Sequence, residues 1–325
     1  MYTKIQSNKK GININWISQD NILIYMTIIL FTLFSFISPG FFSLANFFAI
    51  LRSMSIITIL GLGLTFVITA GEIDLSIGTL PAFSGAVFAY LLTKSGLPLS
   101  LAFLISFISS IMIGLINGSI VAYVKVPSIV VTLATNIICY GITYIICNNS
   151  PIVIFPTGNA LFLKIFSGNI IKFPVIVLWM IVFVVAGYLL LHRTKFGRNV
   201  AFIGNNKIAS FYSGINVNDT IIFSFAVCSL CSFAVGMLGV AQASNASPWM
   251  YSTELLTAIA ASIIGGTSFT GGKGNILGVV IGGFFLTMLT NGLLILGVPP
   301  WILYSINGAI IIFALSWGQF LKAKS

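Results

Sequence analysis

Residues 46–78 read NFFAILRSMSIITILGLGLTFVITAGEIDLSIG. Between Arg52 and Glu72 the chain carries no charge, and its apolar residues follow one another without the in-out alternation of a barrel strand. A bilayer core takes about 20 such residues as a helix, and a helix satisfies its own backbone polar groups where no water can. This run therefore predicts a membrane-crossing helix. It then breaks abruptly at Gly71-Glu72-Ile73-Asp74-Leu75-Ser76, and a second apolar run follows almost at once.

The same pattern repeats outward in both directions. Breaks in hydropathy predict ten spans, at about 21–38, 46–70, 77–93, 101–122, 129–147, 173–192, 219–242, 254–270, 276–296 and 301–318. Of 325 residues, 58% are hydrophobic and 6% are charged, against roughly 25% charged in an ordinary soluble domain. Mean hydropathy is +1.09. Such a chain would leave far more apolar surface than a water-soluble monomer can hide. The expected class is an all-α, polytopic integral membrane protein, with a tail over 1–20, one membrane domain over 21–318 and a second tail over 319–325.

The net charge of +10 reflects membrane topology rather than nucleic-acid binding. Basic residues sit at helix ends, one to four per loop, with no patch interleaved with aromatics. If the N-terminus is inside, the inner segments hold Lys4, Lys9, Lys10, Lys125, Arg193, Lys195, Arg198, Lys207, Lys273, Lys322 and Lys324. The outer ones hold only Arg52, Lys94, Lys164 and Lys172. Eleven against four predicts both termini in the cytoplasm. The basic N-terminal segment has no small-residue cleavage site after the first apolar run, so it reads as a tail rather than a signal peptide. Trp249, Trp301 and Trp317 fall near expected membrane surfaces, as interfacial anchors do.

Enzyme chemistry finds little support. The five acidic residues, Asp20, Glu72, Asp74, Asp219 and Glu254, are not paired with a His or Cys at catalytic spacing. His192 ends span six beside Arg193 and reads as an interfacial residue. Cys228 and Cys231 have C-x-x-C spacing but lie inside an apolar run, without a second Cys pair or a His nearby, and read as buried helix residues. GGTSFTGGKGNILG, residues 265–278, looks at first like a phosphate cradle. A P-loop requires Gly, four residues, then Gly-Lys-Ser/Thr. Thr267 occupies the first Gly position, and Gly274 follows Lys273, so the frame fails at both ends. The stretch reads as a short inner turn whose glycines let two helix ends pack closely; a mobile gate is the competing reading.

Four other features carry candidate roles. Glu72 and Asp74 sit where charge is costly and usually functional. Asp74 or Ser76 suits the N-cap of the third span, and a place lining the passage competes with capping. Asn117, Asn136, Asn291 and Asn307 could line a polar path or bond neighbouring helices. The GxxxG pairs Gly114/Gly118 and Gly278/Gly282 suit close helix packing, with a dimer face as the alternative. Of the two longer connections, 148–172 is expected outside, its middle part lying in the interface. The other, 193–218, is expected inside. Within it, GNNKIASFYSGINV reads as a turn (Gly204-Asn205-Asn206), a short helix over 207–213 and a Gly214 cap before Ile215. That helix would expose Phe211 and Tyr212 to a partner, unless the loop serves topology alone.

Taken together, ITAGEIDLSIG, GNNKIASFYSGINV and GGTSFTGGKGNILG resemble, in order and spacing, the permease subunits of ribose-type (simple-sugar) ABC importers, with likeness from about Phe42 to the last span. The resemblance implies a ten-helix permease working as a homodimer or heterodimer in the bacterial cytoplasmic membrane. Its partners would be a cytoplasmic ABC ATPase, which holds ATP and Mg, and an extracytoplasmic substrate-binding protein. No cofactor is expected on this chain. The resemblance also implies that 204–217 is the coupling segment, with Gly204, Asn205, Asn206, Ala209, Phe211, Tyr212, Gly214 and Ile215 facing the ATPase. Glu72, Asp74, Ser76, Asn117 and Asn291 remain the candidates for gate or passage. Family members often have Gly-Gly-Ile-Asp-Leu-Ser where this chain has Gly71-Glu72, and Pro or acidic residues near Asn206-Lys207-Ile208. The runner-up is an ion-coupled secondary transporter of a small polar solute. Its coupling ions usually require carboxylates or broken helices at the midplane, and spans one, four to six, nine and ten contain no carboxylate.

Overall fold

The structure, a computed structural model, describes residues 19–154, 159–306, 308, 309 and 312. Helix α1 (Gln19–Ile37) leads to α2 (Leu44–Thr69), a 3-10 turn (Ser76–Gly78) and α3 (Leu80–Thr93). Helix α4 (Leu99–Ser119) runs on into a π-helical turn (Ile120–Val124), and α5 (Ser128–Cys147) follows. A connection made of β1 (Ile152–Val153), α6 (Ala160–Ser167), β2 (Asn169–Ile170) and β3 (Phe173–Pro174) precedes α7 (Val175–Arg193). Then come α8 (Lys195–Asn205), α9 (Lys207–Tyr212), α10 (Val217–Ala243), β4 (Asn245–Ala246), α11 (Glu254–Ile264) and α12 (Ile276–Ile295). Residues 300–306 are helical too.

The chain is a mostly helical, multi-span membrane protein, and its described residues do not confirm ten full spans. Among the described residues, six helices are long and apolar enough to cross: α2, α4 with its π turn, α5, α7, α10 and α12. The apolar part of α1 (Ile22–Ile37), α3 and α11 are shorter. At 1.5 Å per residue, α3 and α11 measure about 21 and 16 Å, short of a hydrocarbon core of about 30 Å. The reason is local. The expected span over 254–270 stops at Ile264, where Gly265 caps the helix and Gly266 takes φ +94°. The expected span from 77 opens on a 3-10 turn, and α3 begins only at Leu80, with Pro81 in its first turn. The tails over 1–18 and 319–325, Asn307, Trp317 and most of the last expected span lie outside the described residues. Two antiparallel pairs of two-residue strands, β1 with β4 and β2 with β3, qualify the all-α class only at its edges.

Helices α2 and α10 form the centre. From Met54 to Thr69 every residue of α2 is buried, polar ones included. A helix apolar on all sides belongs inside such a bundle. Small residues let the neighbours approach. A Cβ at Gly118 would come within 2.7 Å of the Ile222 Cα on α10. One at Gly114 would meet the Phe225 carbonyl at 2.7 Å. Gly278 and Gly282 press in the same way on Gly265 and Ala261 of the α11 end. Both GxxxG pairs are therefore filled within the chain, which removes the basis for reading them as a dimer face. The 148–172 connection packs onto the bundle as well. Phe162 of α6 is buried against Phe88, with ring centres 4.7 Å apart, and Trp179 donates to the Ile165 carbonyl at 2.9 Å.

Candidate functional site

The fold brings three distant stretches of sequence to one point. Helix α2 ends in a Schellman motif: Gly71 N–H donates to the Ile68 carbonyl at 2.9 Å and Glu72 N–H to the Val67 carbonyl at 3.0 Å, with Gly71 at φ +79°. Directly against it lies the end of α8. A Cβ on Gly204 would collide with the Thr69 carbonyl and come within 2.5 Å of the Gly272 nitrogen. Gly271, at φ +86°, stacks its backbone on Gly204 and Gly71, and Gly272 N–H donates to the Thr69 carbonyl at 2.9 Å. The glycines of the 265–278 stretch thus serve close backbone contact, as expected, but with α2 and α8 as well as between α11 and α12. No side chain larger than hydrogen fits at Gly204, Gly271 or Gly272, while Gly71 is required by its positive φ rather than by space.

From this junction α9 projects. Gly204 and Asn205 form the last turn of α8 rather than the separate turn expected. Asn205 Nδ2 donates a hydrogen bond to the Ala201 carbonyl at 3.1 Å. Asn206 is the N-cap of α9, its Oδ1 accepting the Ala209 N–H at 3.0 Å. The helix runs Lys207–Tyr212 and is closed by a second Schellman motif. Gly214 (φ +80°) donates to Phe211 at 3.0 Å, and Ile215 donates to Ser210 at 3.1 Å. Phe211 and Tyr212 are 67% and 83% exposed, with rings edge to face at 5.8 Å, and Ile208 beside them is 71% exposed. This apolar tip borders a groove of about 950 Å³ lined by Glu72, Val121, Lys125, Phe211, Asn216 and Ile221. Val121 and Lys125 come from the π turn that ends α4 and from the residue after it, which takes φ +61°.

Glu72, buried, forms an ion pair with Lys207 at the first position of α9. No other ion pair is found among the described residues. Two residues on, Asp74 is 1% exposed. Its Oδ1 accepts the Ser76 N–H at 2.9 Å and the Ser76 hydroxyl at 2.5 Å. Ser76 Oγ also accepts from Asn117 Nδ2 at 3.2 Å, and Thr135 donates to Asn117 Oδ1 at 2.6 Å. Asp74 therefore forms a side-chain turn onto Ser76 at the start of the 3-10 turn, whose N-cap position is Leu75, while the N-cap of α3 is Thr79, whose side chain makes no capping bond. The extended backbone is satisfied from α5: Ser128 Oγ accepts Ile73 N–H at 3.1 Å and Thr132 Oγ1 accepts Leu75 N–H at 3.0 Å. Irregular backbone at membrane depth survives only with such partners.

Glu72, Asp74, Ser76 and Asn117 are thus gathered into one cluster. Asn291 is not. It lies on α12, sixteen residues beyond the Asn275 N-cap, or about 24 Å up the helix. Its Oδ1 is buried without a hydrogen-bond partner. Asn136 joins the edge of the cluster by accepting from Thr79 Oγ1 at 2.8 Å. Sequence reasoning missed Lys207 as the partner of Glu72, Ile208 in the exposed tip, and Ser128, Thr132 and Thr135 as the supports from α5. The one available signal was charge: a lone Glu in the first motif and a lone Lys in the second. Among the described residues no grouping of His, Cys, Asp and Glu could hold a metal ion.

The six long apolar helices define an integral membrane protein, and its interlocked backbone junction carries a short projecting helix. The chain belongs to the family described as branched-chain amino acid transport system / permease component, whose pattern matches residues 46–315. It is 34% identical over 318 residues to the ribose import permease protein RbsC of Escherichia coli (strain K12), covering 97% of this chain and 98% of that one. It is 33% identical over 299 residues to the D-allose transport system permease protein AlsC of the same strain, covering 92% and 91%. It is 34% identical over 335 residues to that strain's galactose/methyl galactoside import permease protein MglC, covering 98% of each. No solved structure gives a significant match.

Proposed function

We infer that the chain is the membrane-spanning permease subunit of an ATP-binding-cassette importer that moves a sugar or sugar-like solute inward. The observation that carries this reading is α9: a six-residue helix, capped at both ends, set beside a glycine-rich junction and presenting Ile208, Phe211 and Tyr212 outward. A capped helix with an unburied aromatic tip suits a partner's cleft, where such anchors often carry much of the binding energy. The partner is a cytoplasmic ABC ATPase, which binds ATP and Mg. A second permease subunit completes the passage, and an extracytoplasmic binding protein delivers the solute. The α9 end of the molecule then faces the cytoplasm, as do both termini, in a bacterial-type inner membrane. The near full-length similarity to permeases named for ribose, allose and galactose supports a sugar as cargo.

Closure of the ATPases on ATP would press α9 and tilt the helices joined to it, so that two permeases alternate their access. The Asp74–Ser76–Asn117–Thr135 cluster holds the break after α2 in shape during that movement. The test is uptake into proteoliposomes containing this chain, its ATPase and its binding protein, with ion gradients collapsed by ionophores. Labelled ribose, allose and galactose serve as probes, with ATP on the ATPase side. Uptake that needs ATP and survives the ionophores is expected. Uptake that needs an ion gradient and ignores ATP would overturn the assignment.

A further inference from the structure

We propose that the Glu72–Lys207 pair is the positioning contact through which movement of α9 reaches the 71–76 segment, and through that segment α4 and α5. The proposal rests on the importer reading above and concerns how force is passed on. Helix α9 is held to the membrane body in few ways. Its one buried residue is Ser210, whose hydroxyl bonds back to the Asn206 carbonyl of its own cap at 2.8 Å. Ile208, Phe211 and Tyr212 point outward. At its end the chain runs through Ile215, packed on the core, into α10, and at its start there are two attachments. One is the backbone clamp of Gly204 against Thr69 and Gly272, three residues before α9 begins. The other is the side-chain link from Lys207 to Glu72.

The two attachments differ mechanically. The clamp is backbone on backbone and has no freedom to slide, so it serves as a pivot. The ion pair joins a half-exposed Lys to a buried carboxylate, and so follows the helix as it turns. Surface pairs contribute little, but removing Lys207 would leave Glu72 buried without its partner, a far larger perturbation. Beyond Glu72 the contacts continue without a gap. Ile73 and Leu75 are tied to α5 through Ser128 and Thr132, and Asp74 reaches Asn117 of α4 through Ser76. Thr135 then joins α4 back to α5. A two-residue step along the chain therefore connects the projecting helix with both walls of the break.

The experiment compares Lys207→Gln, Glu72→Gln and the charge-reversed double variant Glu72→Lys/Lys207→Glu. Each is reconstituted with its ATPase and binding protein, with labelled ribose, allose and galactose as probes. The quantity read is solute moved per ATP hydrolysed, with the amount of co-purifying ATPase measured alongside. Each single variant is expected to keep its ATPase within about twofold, since the aromatic tip is untouched. Each should move about tenfold less solute per ATP, a factor typical of lost coupling between sites. The reversed pair should return to within about threefold of the parent. If Glu72→Gln fails to accumulate, Lys207→Gln, changed at a half-exposed position, carries the comparison with the reversed pair. Parent-like coupling in the single variants, or a reversed pair no better than the worse single, overturns the proposal. If the parent itself neither retains an ABC ATPase nor moves these sugars, the importer reading falls and this inference with it.

Discussion

Gly204 and Gly214 lie ten residues apart and do different work. At Gly204 an added methyl group would run into the carbonyl of Thr69, so backbone would have to part. Gly204→Ala is expected to lose at least the about 1–3 kcal/mol typical of overpacking, seen as poor yield and a lowered melting temperature in detergent. Gly214 has nothing within 4 Å of an added Cβ but sits at φ +80°. Gly214→Ala should therefore lose only the about 1–2 kcal/mol of a left-handed alanine and still assemble. Equal damage at the two sites would contradict the close-contact account. Asp74 invites a similar comparison. An Asn oxygen can still accept the Ser76 N–H and hydroxyl, so Asp74→Asn should keep assembly and transport. Asp74→Ala leaves those donors unmet and should lose about 1–3 kcal/mol. An assembled but inactive Asp74→Asn would mean that the charge itself acts in the passage.

Helix α9 is the element on which the functional reading turns. Phe211→Ala with Tyr212→Ala removes its exposed tip but none of its caps, since Asn206 and Gly214 remain. The spanning helices should insert as before. Association with the ATPase, measured by co-purification or titration, should weaken by about 2 kcal/mol or more, with transport falling in step. Ile208 sits on the same face, so Ile208→Ala added to the pair should deepen the loss. Unchanged binding and transport in the triple variant would reduce 193–218 to a loop that only sets topology. Helices α3 and α11 make the complementary point: neither is long enough to span alone, and each continues from an irregular segment held by side chains or glycines.

For the molecule as a whole, the expectation is passage without catalysis. The purified chain, reconstituted without an ATPase subunit, should hydrolyse no ATP, because the Gly-Lys of 272–273 is set in a backbone junction rather than a phosphate cradle. Phosphate release measured on a preparation free of other chains checks this. Nucleotide turnover at a steady rate would remove the chain from the class of permease subunits. Added ATPase and loaded binding protein should together restore both hydrolysis and uptake.

Much of this was legible without coordinates. Long uncharged runs are costly in water and free in lipid, so composition alone determined a helical membrane protein. The short helix from Lys207, its Gly214 stop and the outward Phe211 and Tyr212 were legible because helix stop signals are local chemistry. The bounds of the third and eighth expected spans were not, because hydropathy counts apolar residues without regard to where the helix starts and stops. At Gly265 the backbone leaves the helix well before the first charge, Lys273, and at 77–79 the expected span opens on a 3-10 turn. Nor was the meeting of Gly71, Gly204 and Gly271, or the pairing of Glu72 with Lys207. Those residues are separated by more than a hundred positions in places, and their adjacency depends on how α2, α8 and the α11–α12 turn pack. Side-chain patterns along one helix determined what lies in the membrane; only tertiary packing decided which breaks in those helices touch.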